Sequence, residues 1–197
     1  MMTTEQPASV APTKISLRRL IAGRLRGIDA RTRTTWDDAV AARILDSDAF
    51  RLAPSIVGYF ALSDEVNIDR VLAAAVERNK PAFVPVVRGE LMVFARWTPR
   101  SLVQRSDRGT LQATAERVDV CEIGACLVLV PGRVFDSEGE RVGRGGGHYD
   151  RAFASPVRGV RLAGVGYELQ IVDAVPVATH DRKVEMVFTE QRCVSCR

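Results

Sequence analysis

A glycine-rich stretch flanked by arginines is the part of the chain best suited to chemistry. It covers residues 141–147, with Arg141 at its start, and His148, Tyr149 and Asp150 follow it. Three consecutive glycines lack a Cβ, so the backbone can turn its N–H groups to one side. Those N–H groups, the arginines and a helix beginning near Tyr149 together suit a polyphosphate. A flexible linker is the alternative, but linkers usually mix serine with glycine and do not join a strand to a helix.

Acidic side chains near this stretch are candidates to hold a cation against phosphate oxygens. Asp150 can ligate Mg²⁺, or it can be a first-turn acid favoured by the helix dipole. Asp181 is a second candidate ligand or a turn residue. Glu65 follows a predicted strand and precedes a helix, where α/β sheets bind ligands; its alternative role is electrostatic, at the helix entry.

The common nucleotide and hydrolase motifs are absent from the sequence. It contains no G-x-x-x-x-G-K-[ST], and the G-x-G-x-x-G fingerprint fails because His148 stands where the last glycine belongs. No G-x-S-x-G elbow is present either. Hydride transfer and acyl-enzyme hydrolysis are therefore disfavoured. Tyr149 and Trp97 can stack on a flat ring, or they can be core aromatics.

The length of 197 residues and the composition indicate one globular domain over residues 14–197, after a disordered tail at residues 1–13. The tail has no basic and apolar pattern of a secretory signal, so we expect a cytoplasmic protein. Residues 1–35 carry seven basic side chains against Glu5 and Asp29, a balance of +5, whereas the whole chain is +4. This basic helix has no interleaved aromatics, which disfavours nucleic acid, and no apolar run is long enough to span a membrane.

Cysteine and histidine usage argues against a zinc or redox centre. The chain has one C-x-x-C, formed by Cys193 and Cys196, whereas a zinc ribbon needs two. Without a signal peptide, these two cysteines, Cys121 and Cys126 are expected to be reduced thiols. The only two histidines are His148 and His180, which excludes a histidine-rich metal site.

Apolar periodicity predicts alternating helices and strands. The predicted helices cover residues 14–30, 35–45 with Thr35 as the cap, 67–78, and a segment from about residue 149. The predicted strands cover residues 56–60, 82–87, 91–97, 127–130, 161–166 and, as the last, 183–189. Pro85 indicates a strand end or edge. This order predicts an α/β fold, three-layer α/β/α, with a mostly parallel central sheet covered on both faces.

Five segments, in the same order, resemble 5-formyltetrahydrofolate cyclo-ligases, also called 5,10-methenyltetrahydrofolate synthetases. The most specific is V-P-G-x-x-F-D followed by G-x-R-x-G-R-G-G-G-H-Y-D-R, over residues 130–151. The other matching segments are residues 14–18, 59–66, 80–94 and 164–190. The resemblance implies a NagB/RpiA/CoA-transferase-like fold and an ATP- and Mg²⁺-dependent ligase that acts on a reduced folate. It also implies a monomer or small homo-oligomer, with neither nucleic acid nor a membrane as partner.

The resemblance also assigns roles to individual residues. Lys14 and Arg144 are implied to be catalytic. Asp150 and Asp181 are implied to hold the metal ion. The implied ATP-binding residues are Lys14, Arg18, Arg141, Val142, Gly143, Arg144, Gly145, Gly146, Gly147, His148 and Tyr149. The implied folate-binding residues are Phe60, Glu65, Arg144, Gly145, Gly146, Gly147 and His148.

The sequence departs from the family pattern at a few positions. His148 replaces the usual Phe or Tyr, and Ile68 stands where Thr or Ser is common. Residues 107–117 keep only an acid, Glu116, of an expected Gly-Ile-x-Glu-Pro-like segment. The altered segment at residues 107–117 leaves one alternative to catalysis, a non-catalytic folate- or nucleotide-binding homologue that acts as a sensor or scaffold. A further alternative, a nucleic-acid binder, rests only on the basic first helix.

Overall fold

A computed structural model of the protein describes residues 12–100, 103–105, 111–113 and 116–196. The first eleven residues of the predicted tail lie outside this range, as does most of the divergent segment at residues 107–117.

The described residues form an α/β domain of short elements. The helices are α1 (Lys14–Arg26), α2 (Ala30–Asp46), α3 (Asp48–Leu52), α4 (Asp69–Glu77), α5 (Val120–Ile123) and α6 (His148–Ala152), with a 3₁₀ turn at Glu168–Gln170. The first six strands are β1 (Ile56–Val57), β2 (Ala82–Arg88), β3 (Leu91–Trp97), β4 (Val103–Arg105), β5 (Leu111–Ala113) and β6 (Arg117–Val118). The others are β7 (Cys126–Pro131), β8 (Val134–Phe135), β9 (Arg141–Val142), β10 (Val160–Val165), β11 (Met186–Phe188) and β12 (Cys193–Ser195).

The central sheet has eight strands in the order β12-β11-β10-β7-β1-β2-β3-β6. The pairings from β11 to β2 are parallel, and those at the two ends of the sheet are antiparallel. The predicted mostly parallel sheet is therefore confirmed. Its parallel strands send the loops after β1 and β7 to the same edge, and these loops carry Glu65 and the glycine-rich stretch.

Successive residues of β7 bury their side chains in two different hydrophobic clusters. Leu127 and Leu129 pack with the helices α1 to α4, whereas Val128 and Val130 pack with α5 and α6. Side chains alternate across a strand, so both faces of the sheet are covered. This is the three-layer arrangement that the sequence predicts.

Helix α2 begins earlier than predicted, and Thr35 is not its cap. The cap is Asp29, whose Oδ1 accepts the amide of Thr32 at 2.9 Å. Thr35 lies inside the helix and donates its hydroxyl to the carbonyl of Arg31. The carboxylate satisfies an amide that the helix leaves unpaired, so the first turn forms five residues before Thr35.

Strand β2 continues through Pro85 to Arg88, so Pro85 does not end the strand, but it lies on an unpaired edge of it, which was the other alternative. The amide of Gly58 donates to the carbonyl of Phe83, which places the polar groups of Phe83 on the β1 side. Pro85, two residues on, presents its backbone to the same side, but the pairing with β1 stops at Phe83. At Pro85 no strand lies on the β1 side to accept a hydrogen bond, so the N–H that proline lacks costs the sheet no hydrogen bond. Pro85 borders a cavity instead.

Three other predicted boundaries change. The strand predicted at residues 56–60 contains only the two residues of β1, and the helix after the glycines is the single turn α6. The strand predicted as the last is β11, and the further strand β12 pairs with it in antiparallel fashion. Among the residues that the structure describes, no helix is long and apolar enough to cross a membrane.

The ring of Phe135 packs the loop after β7 against the sheet. It is fully buried, and a Cβ at Gly132 or Gly164 would lie within 2.6 Å of its atoms. At Gly166 the corresponding approach is 3.0 Å. The ring therefore packs directly against the backbone of these three glycines, where no side chain would fit.

Candidate active site

A cavity of about 340 Å³ lies where the chain leaves β1 and β7. Its apolar wall contains Tyr59, Phe60, Leu62, Pro85, Val87, Met92 and Pro131. Its polar wall contains Lys14, Arg18, Glu65, Arg141, the loop of residues 143–148, Asp150, His180 and Asp181. Val142 and Tyr149 border it too, so the structure brings together every residue that the sequence implies for the site. One apolar and one charged wall suit a ligand with a flat ring at one end and anionic groups at the other.

The loop of residues 143–147 has the open backbone that the glycines predict. Gly145 and Gly147 have φ angles of 102° and 62°, in the region where a Cβ is disfavoured. Within the described part of the chain, the amide N–H groups of these five residues donate to no protein acceptor. They are therefore available to phosphate oxygens. A second space of about 410 Å³ lies against the same loop and shares Asp150 and Asp181 with the first.

Two side chains of α1 reach this loop. Arg18 donates its Nε–H to the carbonyl of Gly143 at 2.8 Å, and Lys14 forms an ion pair with Asp181. The capping box between Thr13 and Ser16 fixes where the helix starts, and thereby where Lys14 projects. Lys14 and Arg18 are thus turned towards the cavity and are not part of a solvated basic face.

The two predicted metal ligands are both engaged through one carboxylate oxygen. Oδ1 of Asp150 accepts from Nη2 of Arg141 at 2.7 Å and from the amide of Arg182 at 3.1 Å. Oδ2 of Asp181 accepts from Lys14 and from the amide of Ala178, the latter at 2.7 Å. Asp181 thereby also closes a turn, as its alternative role requires, and Asp150 lies in the first turn of α6, as its alternative role requires.

Each acid keeps its second oxygen for a ligand. Oδ2 of Asp150 and Oδ1 of Asp181 have no hydrogen-bond donor within the described residues, and both side chains border both spaces. The described chain offers no cluster of three or more metal-ligating His, Cys, Asp or Glu side chains. Two carboxylates fit Mg²⁺, which in nucleotide sites takes one or two protein carboxylates and completes its shell with phosphates and water.

Neighbouring charges keep Asp181 ionised. Burial raises the pKa of its carboxyl group, but the bonds from Lys14 and from the Ala178 amide outweigh burial, so the pKa lies below its usual value.

Arg144 joins the glycine loop to the turn after β1. Its Nε–H donates to Oε1 of Glu65 at 2.8 Å, and its Nη2 pairs with Asp64. Glu65 also accepts the amide of Leu62 through Oε2 at 3.0 Å, which fixes the carboxylate. Glu65 thus borders the cavity.

The two candidate stacking aromatics have different environments. Tyr149 borders the cavity, with the Arg141 guanidinium 5.7 Å from its ring centroid and the Phe153 ring stacked behind it. Burial, followed by the Glu65 carboxylate, raises the pKa of the Tyr149 hydroxyl well above its usual value. Trp97 instead packs in the core and does not border either space on the loop. The core alternative is therefore the correct one for Trp97.

Sequence reasoning missed the residues that support the site from behind. Asp64 and Arg133 form an ion pair next to Arg144, and Arg151 donates to the carbonyl of Gly146 at 2.7 Å and to Nδ1 of His148 at 3.1 Å. The available signal in the sequence was a charged side chain next to each motif, with no obvious partner. Arg133 is distant from Asp64 in the chain, so the pattern of residues could not identify that pair. Arg151 is five residues from Gly146 and three from His148, but its position in the sequence does not show which groups it contacts.

Comparison with known proteins agrees with this geometry. The sequence profile of the 5-formyltetrahydrofolate cyclo-ligase family matches residues 10–190. The chain belongs to this family. A 5-formyltetrahydrofolate cyclo-ligase from Mus musculus is 24% identical over 92% of this chain and 96% of its own length.

Two solved structures have the same fold. The 5,10-methenyltetrahydrofolate synthetase from Aquifex aeolicus superposes with a TM-score of 0.79, 25% identity, and coverage of 93% of both chains. The 5,10-methenyltetrahydrofolate synthetase from Mycoplasma pneumoniae gives a TM-score of 0.73 at 17% identity, over 90% of this chain and 98% of the other.

Proposed function

We propose that the protein converts 5-formyltetrahydrofolate to 5,10-methenyltetrahydrofolate with the hydrolytic energy of ATP, releasing ADP and phosphate. The observation that carries the proposal is the cavity itself, which a loop with five unpaired amides, the side chain of Arg144 and an apolar wall border together. Family membership supplies the reaction, and the geometry supports it because the ATP phosphates and the folate ring need these two different walls side by side.

The reaction divides into two steps whose atoms balance. The formyl oxygen on N5 of the folate attacks the γ-phosphorus, and the bond from that phosphorus to ADP breaks. N10 then attacks the activated formyl carbon, loses its proton to solvent or to phosphate, and closes the ring. The C–O bond breaks and phosphate leaves with the former formyl oxygen. A formyl amide is a poor electrophile, so phosphorylation provides the leaving group.

The protein's part is positioning and charge compensation. The amides of residues 143–147 and the side chains of Lys14, Arg18 and Arg141 hold the phosphates. Phe60 packs on the pterin, and Glu65 accepts hydrogen bonds from it. Arg144 lies between the two substrates, where its guanidinium offsets the negative charge of the phosphoryl group as this group passes from ADP to the formyl oxygen.

Asp150 and Asp181 would hold Mg²⁺, since each has a carboxylate oxygen without a donor among the described residues. The ion would neutralise phosphate charge and polarise the transferred group. Arg141 and Lys14 orient the two acids, because each occupies the other oxygen of one carboxylate.

The proposal is tested by mixing the protein with 5-formyltetrahydrofolate, ATP and Mg²⁺ and following the absorbance of the methenyl product. We expect product only when all three are present, with one ADP formed per product. Folate and ATP binding by calorimetry without any product would instead identify a non-catalytic sensor or scaffold. Binding to RNA or DNA with a steep dependence on salt, and none to folate, would identify a nucleic-acid binder.

A further inference from the structure

Four charged side chains form a row of ion pairs beside the cavity, in the order Arg133, Asp64, Arg144 and Glu65. Nη1 of Arg133 lies 2.5 Å from Oδ2 of Asp64, and Oδ1 of Asp64 pairs with Nη2 of Arg144. Nε of Arg144 then donates to Glu65 at 2.8 Å. Arg144 and Glu65 border the cavity, whereas Asp64 and Arg133 stand behind them. Through its side chains, the outer pair contacts the site at Arg144.

The outer pair is more enclosed than an ordinary surface ion pair. The Arg133 side chain is 12% exposed and that of Asp64 is 28% exposed, whereas both partners of the surface pair Arg70–Asp38 are 62% exposed. Burial raises the pKa of Asp64, but the Arg133 bond and the Arg144 charge outweigh burial and hold the pKa below its usual value. Asp64 is therefore a fixed anion, with one oxygen on each guanidinium.

The backbone alone does not fix the direction of the Arg144 side chain, so other side chains must orient it. It lies between two glycines, and Gly145 has a φ of 102°. A backbone of this kind does little to restrict the direction of the side chain. Asp64 and Glu65 take Nη2 and Nε of the planar guanidinium, and Nη1 has no partner within the described residues. Two bonds on one planar group fix its orientation, so Nη1 is the nitrogen left for a substrate.

We propose that Asp64, oriented by Arg133, is a positioning residue for Arg144 in the ring-closing reaction. The inference rests on the proposed function for its kinetic consequence, but the contact itself can be measured without turnover. Asp64 touches neither substrate, and its contribution acts entirely through the direction of the Arg144 guanidinium.

The kinetic test is a double-mutant cycle between Asp64→Asn and Arg144→Ala. Asp64→Asn should lower kcat about ten- to hundredfold, because a misplacement of about 1 Å can cost roughly a hundredfold. The KM values for folate and ATP should change less than about threefold, since Glu65 and the loop amides are untouched. In the Arg144→Ala background, Asp64→Asn should have no further effect on kcat.

Matched variants separate positioning from a general loss of charge or fold. Asp38→Asn breaks the exposed pair with Arg70 and should leave kcat unchanged. Arg133→Met should lower kcat in the same direction as Asp64→Asn, and Asp64→Glu should restore part of it. An equal loss from Asp64→Asn in both Arg144 backgrounds would overturn the inference.

A second measurement does not depend on the reaction. In protein labelled with ¹⁵N-arginine, the Arg144 signals are assigned from the spectrum of Arg144→Lys. We expect separate Nη resonances for Arg144 in the wild type, because its guanidinium cannot rotate freely, and one averaged resonance in Asp64→Asn. The same rotation rate in both proteins would refute the positioning role even where turnover is normal. A slowed guanidinium in a wild type without turnover would refute the proposed function alone.

Discussion

Replacing Asp150 by Asn separates the metal-binding role of this acid from its structural role. Asn keeps a carbonyl oxygen, so it can still accept from Arg141 and from the Arg182 amide. The bond to Arg141 is then no longer one between two opposite charges, which weakens it by about 1 kcal/mol, and the Arg141 side chain is 5% exposed. We therefore expect the free energy of unfolding to fall by about 1 kcal/mol, a Tm decrease of roughly 2–4 °C for a chain of this size.

The expected loss of activity is much larger than the loss of stability. One of two carboxylates that would hold Mg²⁺ disappears, and a metal ion contributes several kcal/mol of charge stabilisation to such a transition state. A loss of about 3 kcal/mol corresponds to a fall in kcat of roughly a hundredfold. The Mg²⁺ concentration that gives half-maximal rate should rise at the same time, because the remaining site binds the ion more weakly.

The assay compares initial rates over a Mg²⁺ titration with thermal unfolding of the same samples. Asp173→Asn is the control, since Asp173 is exposed and does not border either space on the loop. Wild-type kcat and an unchanged Mg²⁺ response in Asp150→Asn would refute the metal role. A Tm decrease above about 10 °C would show instead that the acid mainly holds Arg141 in place.

Three further predictions concern stability and thiol chemistry. Phe135→Ala should lower the free energy of unfolding by about 3–5 kcal/mol in urea denaturation, because its ring is fully buried on glycines; a loss below about 1 kcal/mol would contradict this packing. The pKa of Asp181 lies below its usual 3.8, so its stabilisation is complete above that pH and is lost as the pH falls through the lower folded-state pKa. Lys14→Met should weaken this acid dependence, and an identical pH profile of stability would be evidence against the ion pair. Burial raises the pKa of Cys126 to about 12, so at about pH 8 it should resist alkylation while exposed Cys193 reacts; mass spectrometry showing equal rates would argue against the burial.

The positions of the site loops could be predicted because they depend on short-range patterns. Glycines that need positive φ, an acid after a buried strand and a parallel sheet together place the loops after β1 and β7 at one edge. The family signature then added Lys14 and Asp181, which are far apart in sequence and form an ion pair in the structure.

The features that could not be predicted depend on neighbours that the local pattern does not rank. Pro85 looks like the end of a strand until the length of the neighbouring strand β1 is known. Thr35 looks like a helix cap because its side chain competes well for amides, but Asp29 precedes it and starts the helix first.

The C-terminal C-x-x-C shows how a motif changes meaning once its secondary structure is known. Cys193 lies on β12, and Cys196 follows directly after that strand. Residues three apart on an extended strand point to opposite faces, about 10 Å apart along the chain. Cys193 is exposed and Cys196 packs against the core cluster. The pair is therefore not arranged as a dithiol or a metal knuckle.

The central claim is that this site uses ATP to activate the formyl oxygen of 5-formyltetrahydrofolate. The most direct measurement uses substrate with ¹⁸O in the formyl group, together with ATP and Mg²⁺, and analyses the released phosphate by mass spectrometry. We predict one ¹⁸O atom in each phosphate and an equal amount of methenyl product, because the C–O bond breaks and the P–O bond formed in the first step remains. Methenyl product accompanied by phosphate without ¹⁸O, or no product at saturating substrates, would contradict the claim.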